Sequence, residues 1–195
     1  MHEFKDILFI NGCCLPHPQR YRVDHQIEQL EAYGISCSRV NYEDLNLDLV
    51  KYFRGFVIYR CPIIPVVEEF VKKAKENNKA VFYDIDDLVF DLEYTSQIRY
   101  LDNLSQPEID LYNDGVKRMG DTLKLCDYGI ATTKRLQTEM GKHLKEVFIN
   151  RNVASESMIM FSKNAIENVE KDENKIIMGY LSGSITHNDD YFFFF

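Results

Sequence analysis

Short apolar runs alternate along this chain with longer segments whose apolar residues recur at helical spacing. Runs of this kind predict buried strands, and the longer segments predict amphipathic helices. The strands are expected at residues 6–11, 35–41, 56–60, 80–83, 128–131 and 146–149. A repeated strand–helix–strand order predicts an α/β fold with a Rossmann-like, mostly parallel sheet and helices on both faces.

The fourth predicted strand runs directly into a cluster of carboxylates, Asp84, Asp86 and Asp87. Because unpaired charge is costly inside a protein core, the strand is expected to end here, at the surface. Ligands of open α/β sheets sit outside the carboxyl ends of the strands. We therefore predict that this acidic turn belongs to the functional edge of the sheet.

The acidic turn allows two interpretations. Asp84-Ile85-Asp86 has the D-x-D spacing that can bind Mg²⁺ or Mn²⁺. Alternatively, Asp86 or Asp87 accepts hydrogen bonds from backbone N–H groups and organises a tight turn. We favour the second interpretation and predict no catalytic metal at these carboxylates.

Basic and aromatic side chains are expected at the same edge, after the first strand and at the end of the third. They are Arg20, Tyr21, Arg22 and Arg60. Arginines beside a tyrosine suit a phosphate, a carboxylate or a sugar. The alternative is a solvated helix start whose arginines pair with Asp24 or Glu28.

Composition narrows the class of protein. The net charge of −8 leaves no basic excess to neutralise nucleic-acid phosphates, so nucleic acid is not an expected partner. No apolar stretch approaches the length of a membrane span, and the first residues lack the pattern of a signal peptide. The five cysteines are scattered and odd in number, which fits reduced thiols. These features together predict a cytoplasmic protein.

Common cofactor motifs find little support. No G-x-G-x-x-G follows the first strand and there is no Walker A sequence, so a bound dinucleotide is not predicted. Cys13, Cys14, His17 and His25 could suggest zinc, but their spacing matches no regular site. We expect these residues to pack rather than to bind metal, and we expect no cofactor.

The character of the sequence changes after the sixth predicted strand. Residues 1–150 are expected to form one Rossmann-like domain, residues 151–174 a polar connector and a helix, and residues 175–195 the start of a second domain. Small and hydroxyl residues follow the apolar run of this last part, where backbone N–H groups could approach a phosphate. They are Gly183, Ser184, Thr186 and His187. The apolar residues of this end, including Phe192–Phe195, are expected to drive self-association.

Six segments carry a resemblance to a known family. They are RYRVDHQIEQLEAYGI, FVIYRCPIIP, VFYDIDDLVFD, LCDYGIATTKRLQTEM, VFINRNV and IIMGYLSGSITHNDDY. Together they resemble the N-terminal half of a GT-B glycosyltransferase of the large retaining group 1, or family 4-like, class. Such enzymes are often found in bacterial surface-polysaccharide clusters. YDIDDLVFD and GYLSGSITHNDD are the most specific pieces.

The resemblance implies two Rossmann-like domains facing a cleft, with the acceptor on the first, the nucleotide-sugar donor on the second, and no metal. The implied acceptor-binding residues are Arg20, Tyr21, Arg22, Arg60, Asp86 and Asp87. The implied donor-binding residues are Gly183, Ser184, Thr186 and His187. The function would be transfer of a sugar to a glycan or related acceptor, with peripheral membrane contact compatible with it. The catalytic residues stay unassigned, and residues 1–195 alone are expected to need the rest of a C-terminal domain for activity.

Two other classes of function stay open. One is a non-catalytic Rossmann-like binding or scaffold domain that associates with a partner. The other is a metal-dependent hydrolase built on the acidic turn. The hydrolase is weaker, because no histidine lies near that turn in the sequence.

Overall fold

The structure, a computed structural model, describes residues 4–168 and 174–176. Its strands are β1 (Lys5–Asn11), β2 (Cys37–Asn41), β3 (Phe53–Tyr59), β4 (Ala80–Ile85), β5 (Tyr128–Ala131) and β6 (Glu146–Ile149). They form one sheet in the order β2-β1-β3-β4-β5-β6, and every neighbouring pair is parallel. The predicted α/β, Rossmann-like fold is confirmed.

The connection from β2 to β3 contains two 3₁₀ segments, Tyr42–Asp44 and Leu47–Tyr52. α-Helices lie in the other four connections and after β6. They are α1 (Pro16–Gln19), α2 (His25–Ala32), α3 (Pro65–Glu76), α4 (Gln106–Leu125), α5 (Lys134–Met140) and α6 (Glu156–Glu167). A π-helical turn, Arg20–Asp24, joins α1 to α2. The long stretch between β4 and α4, expected to be irregular, contains two short 3₁₀ segments, Leu92–Gln97 and Arg99–Asn103. The predicted start of α4 is also confirmed, since the backbone N–H of Ser105 donates to Glu108 at 2.9 Å in a capping box.

The central strands are buried on both faces, as a parallel sheet requires. Successive side chains of a strand point to opposite faces, so Leu8 and Phe9 belong to different apolar clusters. The cluster of Leu8 includes Phe70 of α3, and the cluster of Phe9 includes Val23 of the π-helical turn. The expected helices on both faces of the sheet are therefore present.

Strand β4 departs from the prediction in an informative way. We expected it to stop before Asp84, but it continues to Ile85 with Asp84 fully buried. The rule behind the prediction concerns unpaired charge, and the carboxylate of Asp84 is paired with the guanidinium of Arg22. An aspartate can therefore lie in a buried strand when a buried cation pairs with its carboxylate.

The end of the sequence is only partly described. Helix α6 lies within the predicted helical region, and the proposed division at residues 150 and 174 stays a prediction. The predicted donor residues Gly183, Ser184, Thr186 and His187, and the phenylalanines at 192–195, lie outside the described residues. No helix within residues 4–168 and 174–176 is long and apolar enough to cross a bilayer.

Candidate functional site

The carboxyl ends of β1 and β3 meet at the point where the strand order reverses. Strand β2 lies on one side of β1 and β3 on the other, so the connections after β1 and β3 diverge here. Doubly wound sheets bind ligands at such a switch point. Gly12 makes the close approach of the two loops feasible, because a Cβ on it would lie 2.2 Å from the Cα of Cys61. Its N–H donates to the carbonyl oxygen of Tyr59 at 2.8 Å.

Four side chains at this edge form what we call the open cluster: Tyr59, Arg60, Asp86 and Asp87. The Nη2 of Arg60 lies 2.6 Å from the Oδ2 of Asp87, and its Nη1 lies 3.6 Å from the Oδ1 of Asp86. The hydroxyl of Tyr59 donates to the same Asp86 oxygen at 3.0 Å. The Asp87 side chain is 47% exposed, against 15% for Arg60, so a ligand can reach the cluster from the Asp87 side.

Arg60 has a strained backbone. Its φ is 46°, in the left-handed region that non-glycine residues rarely adopt, and its N–H donates to the carbonyl oxygen of Asp84 at 3.0 Å. Strain of this kind costs about 1–3 kcal/mol and is concentrated at functional sites. The conformation places the guanidinium of Arg60 beside the acidic turn that follows the neighbouring strand.

Burial and mutual charge interactions shift the pKa values of the open cluster. Burial raises the pKa of Asp86, while Arg60 opposes the rise and Asp87 adds to it. Burial disfavours the charged form of Arg60, but Asp87 and Asp86 outweigh that effect and raise its pKa. Burial and the charge of Asp86 also raise the pKa of Tyr59. Arg60 therefore stays a cation, and Tyr59 stays a neutral hydrogen-bond donor.

Tyr112 of α4 belongs to the surroundings of the open cluster. Burial raises the pKa of its hydroxyl, and the charges of Arg60 and Asp87 also act on it. Tyr112 is not among the predicted site residues, because nothing in the local pattern of α4 indicates that this face turns toward the sheet edge. Its neighbourhood depends on how α4 packs, which a sequence pattern does not give.

A second group at the same edge, which we call the sealed cluster, consists of Arg22, Gln26 and Asp84. The guanidinium of Arg22 binds both carboxylate oxygens of Asp84, with Nε to Oδ1 at 2.8 Å and Nη2 to Oδ2 at 2.7 Å. The amide of Gln26 donates to Oδ2 at 2.6 Å. The side chains of Arg22 and Asp84 have no exposed surface. Burial raises the pKa of Asp84, and Arg22 and Gln26 oppose that rise.

The sealed cluster also holds the segment that follows β6, residues 150–155, which we call the connector. The Nη1 of Arg22 donates to the carbonyl oxygen of Asn150 at 2.7 Å and to the Oδ1 of Asn152 at 3.1 Å. The Nδ1 of His25 lies 3.0 Å from the carbonyl oxygen of Val153. The π-helical turn and α2 thus fix the path of the chain as it leaves the sheet.

The structure places the predicted site residues in different environments. Arg60 lies beside Asp86 and Asp87, as expected, but Arg22 meets Asp84 and presents no surface to a ligand in this conformation. Arg20 is exposed. The ring of Tyr21 packs edge-on against His25, with centroids 5.2 Å apart. The suggested pairs of the arginines with Asp24 or Glu28 are absent from the described residues, where Asp24 pairs with Arg39 instead.

The acidic turn is occupied by protein donors. Both oxygens of Asp84 are bound by Arg22 and Gln26, and Asp86 and Asp87 share Arg60. Within the described parts of the chain, no group of three or more histidine, cysteine, aspartate or glutamate side chains is arranged to hold a metal ion. All five cysteines are free thiols. The absence of a catalytic metal remains a prediction.

The fold and the edge define a class: an all-parallel, Rossmann-like α/β domain with a charged edge at its switch point. Comparison with protein-family models and with curated proteins finds no match for this chain. A more specific assignment therefore depends on the residues of the edge and on the resemblance of the sequence segments.

Proposed function

We propose that this chain is the acceptor-side portion of a GT-B glycosyltransferase. In this proposal it presents a glycan or related acceptor to a nucleotide-sugar held by a second Rossmann-like domain. The displacement at the anomeric carbon releases a nucleoside diphosphate and is retaining if the chain follows the group 1 class. Residues 175–195 would begin the donor domain, with Gly183, Ser184, Thr186 and His187 near the donor diphosphate.

The observation that carries the proposal is the open cluster at the β1/β3 switch point. It combines a cationic donor in Arg60, a partly exposed acceptor in Asp87 and a neutral donor in Tyr59. A polyhydroxylated ligand requires both donors and acceptors at fixed positions. Asp87 is the member that we assign to acceptor hydroxyl groups, because it is the most exposed carboxylate of the cluster.

We assign the other predicted acceptor residues to three roles: peripheral contact, positioning and structural support. Arg20 and Tyr21 stand in the turn after β1, so we keep them as peripheral acceptor contacts. Asp86 is less exposed than Asp87 and positions Arg60 and Tyr59. We assign Arg22 to support of the edge and of the connector, because its donors are taken by Asp84, Asn150 and Asn152.

The test is a transfer assay on the product of the complete reading frame. A panel of UDP- and GDP-sugars is incubated with glycan acceptors, and release of nucleoside diphosphate is measured. We expect acceptor-dependent release that persists in EDTA, since no metal is invoked. Absence of release with every donor, from a folded protein that still binds acceptor, would favour the alternative class below.

The alternative is a non-catalytic Rossmann-like binding domain. The observation that favours it is the pairing at the edge: within the described residues, Asp84, Asp86 and Asp87 each lie beside an arginine. Each arginine occupies carboxylate oxygens that a catalytic base would need for a substrate proton, so carboxylates held in this way suit ligand binding more than proton transfer. Binding of a glycan without any turnover would establish this class.

A further inference from the structure

A cleft separate from the open cluster lies at the carboxyl ends of β5 and β6, and we call it the Thr133 cleft. Its lining residues are Thr132, Thr133, Lys134, Arg151 and Asn152. The cavity measures about 400 Å³, a size typical of pockets for small molecules. Its lining residues include one lysine and one arginine but no aspartate or glutamate, although the whole chain carries a net charge of −8.

The cations of the cleft have no carboxylate partner among the described residues. The Nζ of Lys134 lies 3.1 Å from the neutral Oε1 of Gln137, and Arg151 forms no ion pair there. By contrast, Arg22 and Arg60 of the same edge are both paired with carboxylates. Lys134 and Arg151 are both exposed, and two cations at one cleft attract an anion most strongly at low salt.

Two polar side chains of the lining, Thr133 and Asn152, each accept one hydrogen bond within the protein. The Oγ1 of Thr133 accepts a hydrogen bond from the N–H of Leu136 at 3.2 Å, so its O–H is left to donate elsewhere. The Oδ1 of Asn152 accepts from Arg22 at 3.1 Å, which leaves the Nδ2 of Asn152 as a donor. The sealed cluster therefore fixes one wall of the cleft, because the same guanidinium holds Asp84 and Asn152.

We propose that the Thr133 cleft binds a phosphate group. The lysine and the arginine match the charge of about −2 that a phosphate monoester carries at pH 7, whereas a carboxylate carries only one negative charge, and the hydroxyl and amide groups add donors for the three terminal phosphate oxygens. The cavity has room for more than the phosphate itself. The ligand is therefore a phosphate monoester attached to a larger polar body.

The register of the sheet connects this cleft with the open cluster. Ile85 of β4 is paired with Ala131 of β5, so the next residues, Asp86 and Thr132, leave the sheet from neighbouring positions. A sugar or polyol that is attached to a phosphate held in the cleft and extends along the edge from β5 to β4 would approach Arg60 and Asp87. Assigning that phosphate to the acceptor rests on the proposed function, whereas the binding site itself does not.

The test is calorimetric titration of the full chain with glucose 6-phosphate and with glucose, at low salt. We expect heat of binding with glucose 6-phosphate and none with glucose at the same concentration. The double variant Lys134→Ala/Arg151→Ala should weaken binding by about tenfold or more, the loss expected when a charged hydrogen bond is removed. Binding should also weaken from pH 7.5 to pH 5.5, because the second pKa of a phosphate monoester is about 6.

The matched control is Lys72→Ala/Arg99→Ala, which removes one exposed lysine and one exposed arginine elsewhere on the surface. It should leave the affinity unchanged. Equal affinities of both double variants and the wild type, or equal binding of glucose and glucose 6-phosphate, would overturn the proposal.

A second arm separates a soluble phosphate from a lipid headgroup. Phosphatidylcholine vesicles are compared with vesicles that also contain phosphatidic acid, and co-sedimentation of the protein is measured. Sedimentation that depends on phosphatidic acid and is lost in Lys134→Ala/Arg151→Ala assigns the phosphate to a lipid. Binding of glucose 6-phosphate without sedimentation assigns it to a soluble molecule. If the protein neither binds glucose 6-phosphate nor sediments with the phosphatidic acid vesicles, the proposed phosphate site is wrong.

The two proposals can fail separately. Sugar transfer to a neutral acceptor with the wild-type rate in Lys134→Ala/Arg151→Ala would contradict a phosphorylated acceptor and leave the glycosyltransferase proposal standing. Phosphate binding by a protein that transfers no sugar would contradict the glycosyltransferase proposal and leave the phosphate-binding site standing.

Discussion

The sealed and open clusters begin from carboxylates only two residues apart, yet they have opposite exposure. Asp84 pairs with Arg22, which belongs to the π-helical turn that packs on the sheet. The connector accepts a further hydrogen bond from the same guanidinium. Asp86 and Asp87 are met by Arg60, which belongs to the loop after β3 and stays partly exposed. The element that supplies the arginine decides whether the pair lies in the interior or at the accessible edge of the sheet.

The largest expected effect comes from breaking the sealed cluster. Arg22→Met leaves the carboxylate of Asp84 buried without its cation, and loss of one partner of a buried pair costs about 3–5 kcal/mol. Urea unfolding should record a loss of this size. Hydrogen exchange should also show reduced protection in the connector, whose Asn150 carbonyl loses its donor.

Two controls isolate the cause of that loss. Arg54→Met removes an arginine that is 86% exposed and pairs with Asp6 at the surface, so stability should barely change. The double variant Arg22→Met/Asp84→Leu removes the unpaired charge and should recover part of the lost stability. If Arg22→Met is as stable as Arg54→Met, the sealed cluster does not have the role that we assign to it.

A smaller effect is expected from the backbone of Arg60. Arg60→Gly and Arg60→Ala both remove the guanidinium, but only glycine is free of the left-handed penalty at a φ of 46°. The glycine variant should therefore be more stable than the alanine variant by about 1 kcal/mol in urea unfolding. Equal stabilities would mean that Arg60 is not strained.

The smallest expected effect is the pH dependence of the open cluster. Because burial raises the folded-state pKa of Asp86, the folded protein holds this proton more tightly than the unfolded chain does. The resulting stabilisation is present below the unfolded pKa and is lost as the pH rises through the folded pKa. Asp86→Asn removes this dependence.

Urea unfolding at a series of pH values from 3 to 7 checks the sign. The stability of Asp86→Asn relative to the wild type should rise as the pH increases through the acidic range. A relative stability that falls with increasing pH would show that the folded-state pKa of Asp86 is lowered instead.

Much of the fold follows from local sequence patterns. The apolar runs located all six strands, and Ser105 with Glu108 located the start of α4, since those signals depend on neighbouring residues. The extent of β4 was misjudged, because the partner of Asp84 lies 62 residues earlier in the chain.

The site was predictable only in part, because contacts between residues far apart in the sequence leave no local pattern. The meeting of Arg60 with the acidic turn follows from the adjacency of β3 and β4. The Thr133 cleft requires two further strand ends and the orientation of Asn152 by Arg22. Contacts that depend on a helix packing across the edge, such as those of Arg22 and Tyr112, have no local signature.

The most direct test of the difference between the clusters is Asp87→Asn in the product of the complete reading frame. Its thermal midpoint and its kcat/KM for the acceptor are measured beside Asp48→Asn, which alters another exposed aspartate that pairs with a basic residue. Our account predicts nearly unchanged midpoints for both variants. It also predicts a loss of about tenfold in kcat/KM for Asp87→Asn alone, the size of one charged hydrogen bond to substrate. Wild-type kcat/KM in a folded Asp87→Asn protein would contradict the assignment of the open cluster to the acceptor.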